Sequence, residues 1–257
     1  MGFPLLILFG KGEATLILAA AWMASGSPPP GPWWLGAWLL AEVAWPALHR
    51  LLRESPWGGR SPAPAPSASP PLPYLQSGSP ADIFLQTIPR LIGTITAHTR
   101  ELPELRGALA TALAALGIGI GLVGDIGVWL TLGVGVALLL ARRLASSGIG
   151  EGIREWVFVT FPWWLGLAGG IPSEPALLAG IPMGLAGVGF LFPALQWIAW
   201  PLWVTWAVAL GHGPGAYGLA LIGLLSGEKP ASRPRRARWI LWTLALALTV
   251  WILRTFR

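Results

Sequence analysis

The sequence predicts an all-α fold, a polytopic bundle of transmembrane helices, on three observations: its composition, the lengths of its apolar runs and the places where its charges lie. Hydrophobic residues make up 54% of the 257-residue chain and charged residues 11%, with a mean hydropathy of +0.63. A soluble domain carries about 25% charged residues, so a solvated shell cannot be built from this composition. Apolar runs approaching the roughly 17 to 25 residues that cross a hydrocarbon core recur along the chain. The short stretches between them hold nearly all the charge. None of the runs alternates apolar and polar residues over about ten positions, which excludes a membrane β-barrel.

Taken in order, the first run, Phe3 to Ala24, lacks the charged start and short apolar core of a cleaved signal peptide and reads as a spanning helix. Lys11 and Glu13 near its start do not share a helix face. The expectation is a helix that begins late with both charges snorkelling to the interface; the alternative is that they line a polar cavity. The second run, Trp33 to Leu52, follows the breaker Ser27 to Pro32, contains Glu42 and ends in His49, Arg50 and Arg53. Residues 55–80 are mostly Pro, Ser, Gly and Ala and form a cytoplasmic linker. Over residues 83–98, Phe84, Ile88, Leu91, Ile92 and Ile95 recur at helical spacing around Pro89, which predicts a helix lying on the cytoplasmic interface instead of crossing.

Seven runs follow: Leu105 to Val123, Ile126 to Leu144, Trp156 to Ile171, Pro175 to Leu195, Trp197 to Leu210, Gly215 to Leu225 and Trp239 to Leu253. The count is nine spans, or seven if the two short runs broken by Pro201, Gly211 and Pro214 do not cross. Residues 1–257 then form one helical domain. His49 to Arg60, Arg142 to Arg154 and Lys229 to Arg238 fall on one side, while the opposite loops near Pro30, Asp125, Glu174 and His212 carry no Arg or Lys. This pattern places the N-terminus in the cytoplasm and the C-terminus outside, in a membrane of the bacterial inner type. The net charge of +6 is explained by these loops, so anionic lipid is the expected neighbour and nucleic acid is not. With no cysteine in the chain, thiolate metal sites and cysteine nucleophiles are excluded.

One stretch carries a family resemblance. Gly148 to Leu191 has a glycine followed by Glu151, an apolar helix interrupted by Phe161-Pro162, a Gly-containing turn, and a helix with Gly180, Pro182 and Gly184; Arg100 to Gly107 repeats an Arg, Leu, Pro and Gly pattern before the third span. These stretches resemble the UbiA-type intramembrane prenyltransferases. The resemblance implies nine helices and a cytoplasmic-facing site in which two opposed Asp-rich motifs hold magnesium and a prenyl diphosphate. This chain departs from that pattern. At the end of the second span it reads Pro46, Ala47, Leu48, His49, Arg50, Leu51, Leu52, Arg53, Glu54, keeping one carboxylate. The matching end of the sixth reads Phe192 to Trp197 with no acid, and Asp82 and Asp125 are the only aspartates. The expectation is therefore a UbiA-like scaffold with degenerate motifs and no metal or cofactor, binding an isoprenoid or other lipid through Glu42, His49, Arg50, Arg53, Glu54 and Arg100. Two alternatives stand beside it: a divergent lipid transferase using Glu42, Glu54 and the arginines, and a structural subunit of a larger membrane complex.

Gly117, Gly119, Gly121 and Gly124 match a dinucleotide fingerprint only superficially, since no strand precedes them; Gly117 and Gly121 are read as a close-packing pair. His49, His98 and His212 lie in separate segments and read as interfacial histidines. Trp33, Trp34, Trp156, Trp197 and Trp239 sit at span ends, at headgroup level. Trp163, Trp164, Trp200, Trp203, Trp206 and Trp242 are harder to place there, and for them a lipid- or partner-facing aromatic surface is the alternative.

Overall fold

The computed structural model describes residues 13–26, 31–54, 103–144, 148–170, 172–189, 193–227 and 235–256. The segments expected to form a linker at 55–80 and an interfacial helix at 83–98, and Lys11, His98 and Arg100, lie outside them. Among the described residues every regular element is helical, with nine helices and no strand. They are α1 (Glu13–Ser25), α2 (Gly31–Trp38 continuing through Leu39–Ala44 into Trp45–Glu54), α3 (Pro103–Val123), α4 (Asp125–Arg143), α5 (Ile149–Ala168), α6 (Glu174–Gly189), α7 (Pro193–Ala209), α8 (Gly213–Gly227) and α9 (Arg235–Thr255). One of them, α4, is long and apolar enough to cross a membrane by length and composition; Glu13–Ser25, Leu109–Val123, Gly213–Ser226 and Ile240–Thr255 are apolar but shorter.

The order of packing follows from which faces carry small residues. α1, α5, α6, α7, α8 and α9 pack in sequence and close into a ring where α9 returns to α1. On the other side of α1 and α5, α2 packs against α3, and both α2 and α5 touch α4. The two central helices divide their faces between two cores. Ile17, Ala20, Ala21 and Ala24 of α1, with Val159, Trp163 and Leu167 of α5, join the ring core. Ala14 and Leu18, with Val157, Phe161 and Leu165, join the second core. α1 and α5 meet at Gly166, where a Cβ would come within 2.6 Å of the Ala21 Cβ.

Several expectations are corrected. The close-packing glycine of α3 is Gly119: a Cβ there would lie 2.7 Å from Leu40 Cγ, and one on Gly36 would lie 2.7 Å from Leu122 Cβ, whereas Gly117 and Gly121 have nothing within 4 Å. The helix has two stripes of small residues, and Ala112, Ala115 and Gly119 form the one that is turned inward. α5 begins at Ile149, seven residues before the expected start at Trp156, because Glu151 and Arg154 pair along the helix surface at 2.7 Å instead of marking a loop. Trp156 is consequently inside the bundle, edge-on to Phe161 and Trp164, and Trp33 is buried against Gly169; Trp197 alone among the described span-end indoles is strongly exposed, at 76%. Trp163, Trp200, Trp203 and Trp242 are core residues, not an outward surface.

Two glycines are required by backbone geometry. Gly124, the one residue between α3 and α4, has φ 80 and ψ −156, a region open essentially to glycine alone. Gly148 opens α5 in the left-handed conformation, φ 74.

Candidate functional site

The polar contacts of the second core converge where α1 meets α2. In an α-helix the ring of Pro46 would press on the Glu42 carbonyl four residues back, and Pro46 has no N–H to donate. The preceding stretch, Leu39–Ala44, is widened into a π-helix in which the Trp45 N–H bonds to the Leu40 carbonyl; such stretches are frequent at functional sites. Glu42 lies within it and is 2% exposed. Its Oε1 accepts two hydrogen bonds from Thr15 of α1, one from the backbone N–H and one from Oγ1, both at 2.7 Å. Thr15 Oγ1 accepts in turn from Trp38 Nε1 at 3.2 Å. Thr15 is in the first turn of α1, whose N–H groups have no partner within the helix, so Glu42 caps α1 from a neighbouring helix and places negative charge at its positive end. Both donors meet Oε1.

His49, Arg50, Arg53 and Glu54 lie further along α2 than Glu42. His49 is two turns further along α2, roughly 10 Å by helix rise, and is half-buried edge-on to Phe158 of α5 at 5.7 Å. Arg50 is half-buried beside it in sequence. Arg53 and Glu54 close α2. At this end Arg142 of α4 donates to the Leu52 carbonyl, placing a cation at the C-terminal end of α2 where the helix dipole favours it. Arg154 pairs with Glu151 at 2.7 Å and Glu155 at 2.5 Å. These three residues lie in the first two turns of α5 and pair along its surface. Among the described residues no three His, Cys, Asp or Glu side chains are grouped to share a metal ion.

The ring core contains polar groups that sequence reasoning passed over. α6 is a seat for indoles: Trp163 Nε1 donates to the Ala176 carbonyl at 2.7 Å, Trp164 Nε1 to Leu177 at 3.0 Å and Trp206 Nε1 to Pro175 at 3.1 Å. Thr160 Oγ1 donates to the Gly180 carbonyl at 3.0 Å. Glycine makes this approach feasible, since a Cβ on Gly180 would lie 2.8 Å from Trp164 Nε1. On α7, by contrast, Gln196 Nε2, Trp200 Nε1 and Trp203 Nε1 are buried with no hydrogen-bond partner among the described residues. The signal for them was available as the i, i+4, i+7 spacing of Gln196, Trp200 and Trp203 on one helix.

No known protein family, curated protein or solved structure matches the chain.

Proposed function

We propose that the chain is a multi-pass membrane protein that holds an isoprenoid or another lipid in its helical bundle without magnesium-dependent prenyl transfer. The observation that carries this reading is Glu42, an acid 2% exposed on a π-helical turn of an otherwise apolar bundle, a kind of group that is costly and usually functional inside a membrane. Thr15 engages Oε1, and Oε2 is the atom for a donor on the ligand, such as the hydroxyl of a prenyl or acyl-glycerol alcohol.

The membrane setting has independent support. Each of the nine described helices exposes at least one large hydrophobic side chain, reaching 71% for Trp129 and 80% for Tyr217, side chains suited to contact with lipid. Arg142 at the end of α4 bonds to the end of α2, which gathers two basic helix ends on one side, in keeping with a cytoplasmic face there. Arg254 at the other side donates to the Met23 carbonyl at 3.1 Å. A basic residue on the outer face then has a local role in capping α1.

Membrane fractionation and single-cysteine labelling of this cysteine-free chain test the setting. Ser67→Cys and Ser232→Cys are expected to react from the cytoplasmic face and Ser173→Cys from the outer face; recovery in the soluble fraction, or the reverse labelling, contradicts it. Lipid extracted from purified protein tests the site. Glu42→Leu is expected to lose a co-purifying lipid that Glu42→Gln partly retains. Equal retention by both variants contradicts the assignment of Glu42. Calorimetric titration with farnesyl diphosphate is expected to give the same affinity with and without magnesium, and strictly magnesium-dependent binding lost in Glu54→Gln would contradict the absence of prenyl transfer.

A further inference from the structure

The three orphan donors of α7 form one surface. Gln196, Trp200 and Trp203 are 4%, 5% and 0% exposed, and positions i, i+4 and i+7 fall on one helix face over about 10 Å of its axis. The indoles of Trp200 and Trp203 stack with centroids 5.3 Å apart and 16° between planes, and Trp242 of α9 meets Trp203 at 6.0 Å. Neighbouring glycines hold them closely: a Cβ on Gly223 of α8 would lie 2.9 Å from Trp200 Cγ, and one on Gly189 of α6 would lie 2.7 Å from Gln196 Cγ. Their N–H groups are thereby kept from turning out to solvent.

Indoles elsewhere in the same bundle show what happens when an acceptor is within reach. Trp163, Trp164 and Trp206 each donate to a carbonyl of α6, and Trp45 donates to Thr131 Oγ1 at 3.1 Å. A buried N–H without a partner is unfavourable enough that each instance calls for an explanation. Three aligned on one face share a single explanation, an acceptor that comes from outside the chain.

The chemistry of the face selects that acceptor. All three groups are N–H donors and none is charged. The nearby buried hydroxyls are already engaged with their own helices, Ser226 Oγ with the Gly223 carbonyl and Thr249 Oγ1 with the Ala245 carbonyl, both at 2.8 Å. An anion would find no counter-charge among the buried side chains of the ring core, and burying it unpaired is strongly unfavourable. A neutral oxygen acceptor needs none. Gln196 is in the first turn of α7 and Trp203 two turns deeper, so the donors run inward from one end of the bundle, spaced to meet oxygens strung along one molecule.

We propose that the Gln196–Trp200–Trp203 face of α7 binds the ester carbonyls of a neutral glycerolipid. The site shares the membrane setting of the reading above but not Glu42, which belongs to the other core. The test is the indole N–H spectrum of the detergent-solubilised full chain with ¹⁵N-labelled tryptophan, assigned with Trp200→Phe and Trp203→Phe. Titration with dioctanoylglycerol is expected to shift both resonances to saturation. Its dialkyl ether analogue, which lacks the carbonyls, and dioctanoyl phosphatidic acid, which adds charge, are expected to bind about tenfold more weakly, as is dioctanoylglycerol to Gln196→Leu. That variant is expected to keep the thermal midpoint of the parent, separating lost binding from lost folding. The proposal is overturned if the ether shifts the resonances as well as the ester, if Gln196→Leu binds unchanged, or if no lipid gives a saturable shift and both indole protons exchange at solvent rates, which would leave bridging water as the acceptor. A chain found in the soluble fraction overturns the membrane setting; a membrane-bound chain without the shift overturns this inference alone.

Discussion

The two cores on either side of α1 and α5 handle buried polar groups in opposite ways. In the core of α2, α3 and α4, each polar side chain followed here has found a partner: Glu42 takes two bonds from Thr15, Thr15 takes one from Trp38, and Trp45 donates to Thr131. In the ring core the indoles beside α6 are satisfied, yet one turn-to-turn row on α7 is not. The difference teaches that burial alone does not describe a polar group, since Glu42 is as deeply buried as Gln196. What separates them is how far the chain itself supplies the partner. Thr15 already holds Oε1 of Glu42 and so ties α1 to α2, while the three donors of α7 have no partner among the described residues.

Substitutions that break the satisfied contacts are expected to have the largest effects. Trp163→Ala removes a fully buried indole and its bond to Ala176 and is expected to destabilise by about 3 to 5 kcal/mol in chemical unfolding from detergent. Gly119→Ala forces a methyl into Leu40 and is expected to cost about 1 to 3 kcal/mol, while Gly117→Ala, with open space around it, is expected to stabilise by about 0.5 to 1 kcal/mol through helix propensity. Equal effects at the two glycines would contradict the inward placement of the Gly119 stripe. A further small effect is expected at His212, whose Nδ1 accepts the Gly215 N–H at 3.0 Å as a cap of α8. His212→Ala is expected to cost about 1 kcal/mol, and no loss would show the cap to be dispensable.

Helix positions were legible because apolar runs and Gly or Pro breaks are local. The errors lie where the determining contact is distant. α5 begins seven residues before the apolar run at Trp156 because its first two turns carry Glu151, Arg154 and Glu155, which pair along the helix surface and interrupt the apolar pattern. Pro162, Pro182 and Pro201 stand inside α5, α6 and α7 without ending them, since neighbouring helices supply contacts that local propensity does not describe. On α3, Ala114, Gly117 and Gly121 have the same spacing as Ala112, Ala115 and Gly119, so periodicity could not choose the buried stripe; Leu40 of α2 does. Glu42 stood out as an acid in an apolar run, but its partner Thr15 is 27 residues away. On α7 the sequence marks Trp200 and Trp203 without saying which way they face, and Gln196 carries no charge to set it apart in an apolar run.

The contrast between the cores is tested most directly by unfolding Thr15→Val and Gln196→Leu side by side in the same lipid-free detergent. Thr15→Val removes the hydroxyl bond to the buried Glu42 carboxyl, keeping the one from the backbone N–H, and takes away the acceptor of Trp38 Nε1; it is expected to lose about 1 to 3 kcal/mol. Gln196→Leu removes a donor that has no partner in the chain and is expected to leave stability unchanged or raise it. A loss in Gln196→Leu equal to that in Thr15→Val would show that both cores are satisfied alike and would contradict the account.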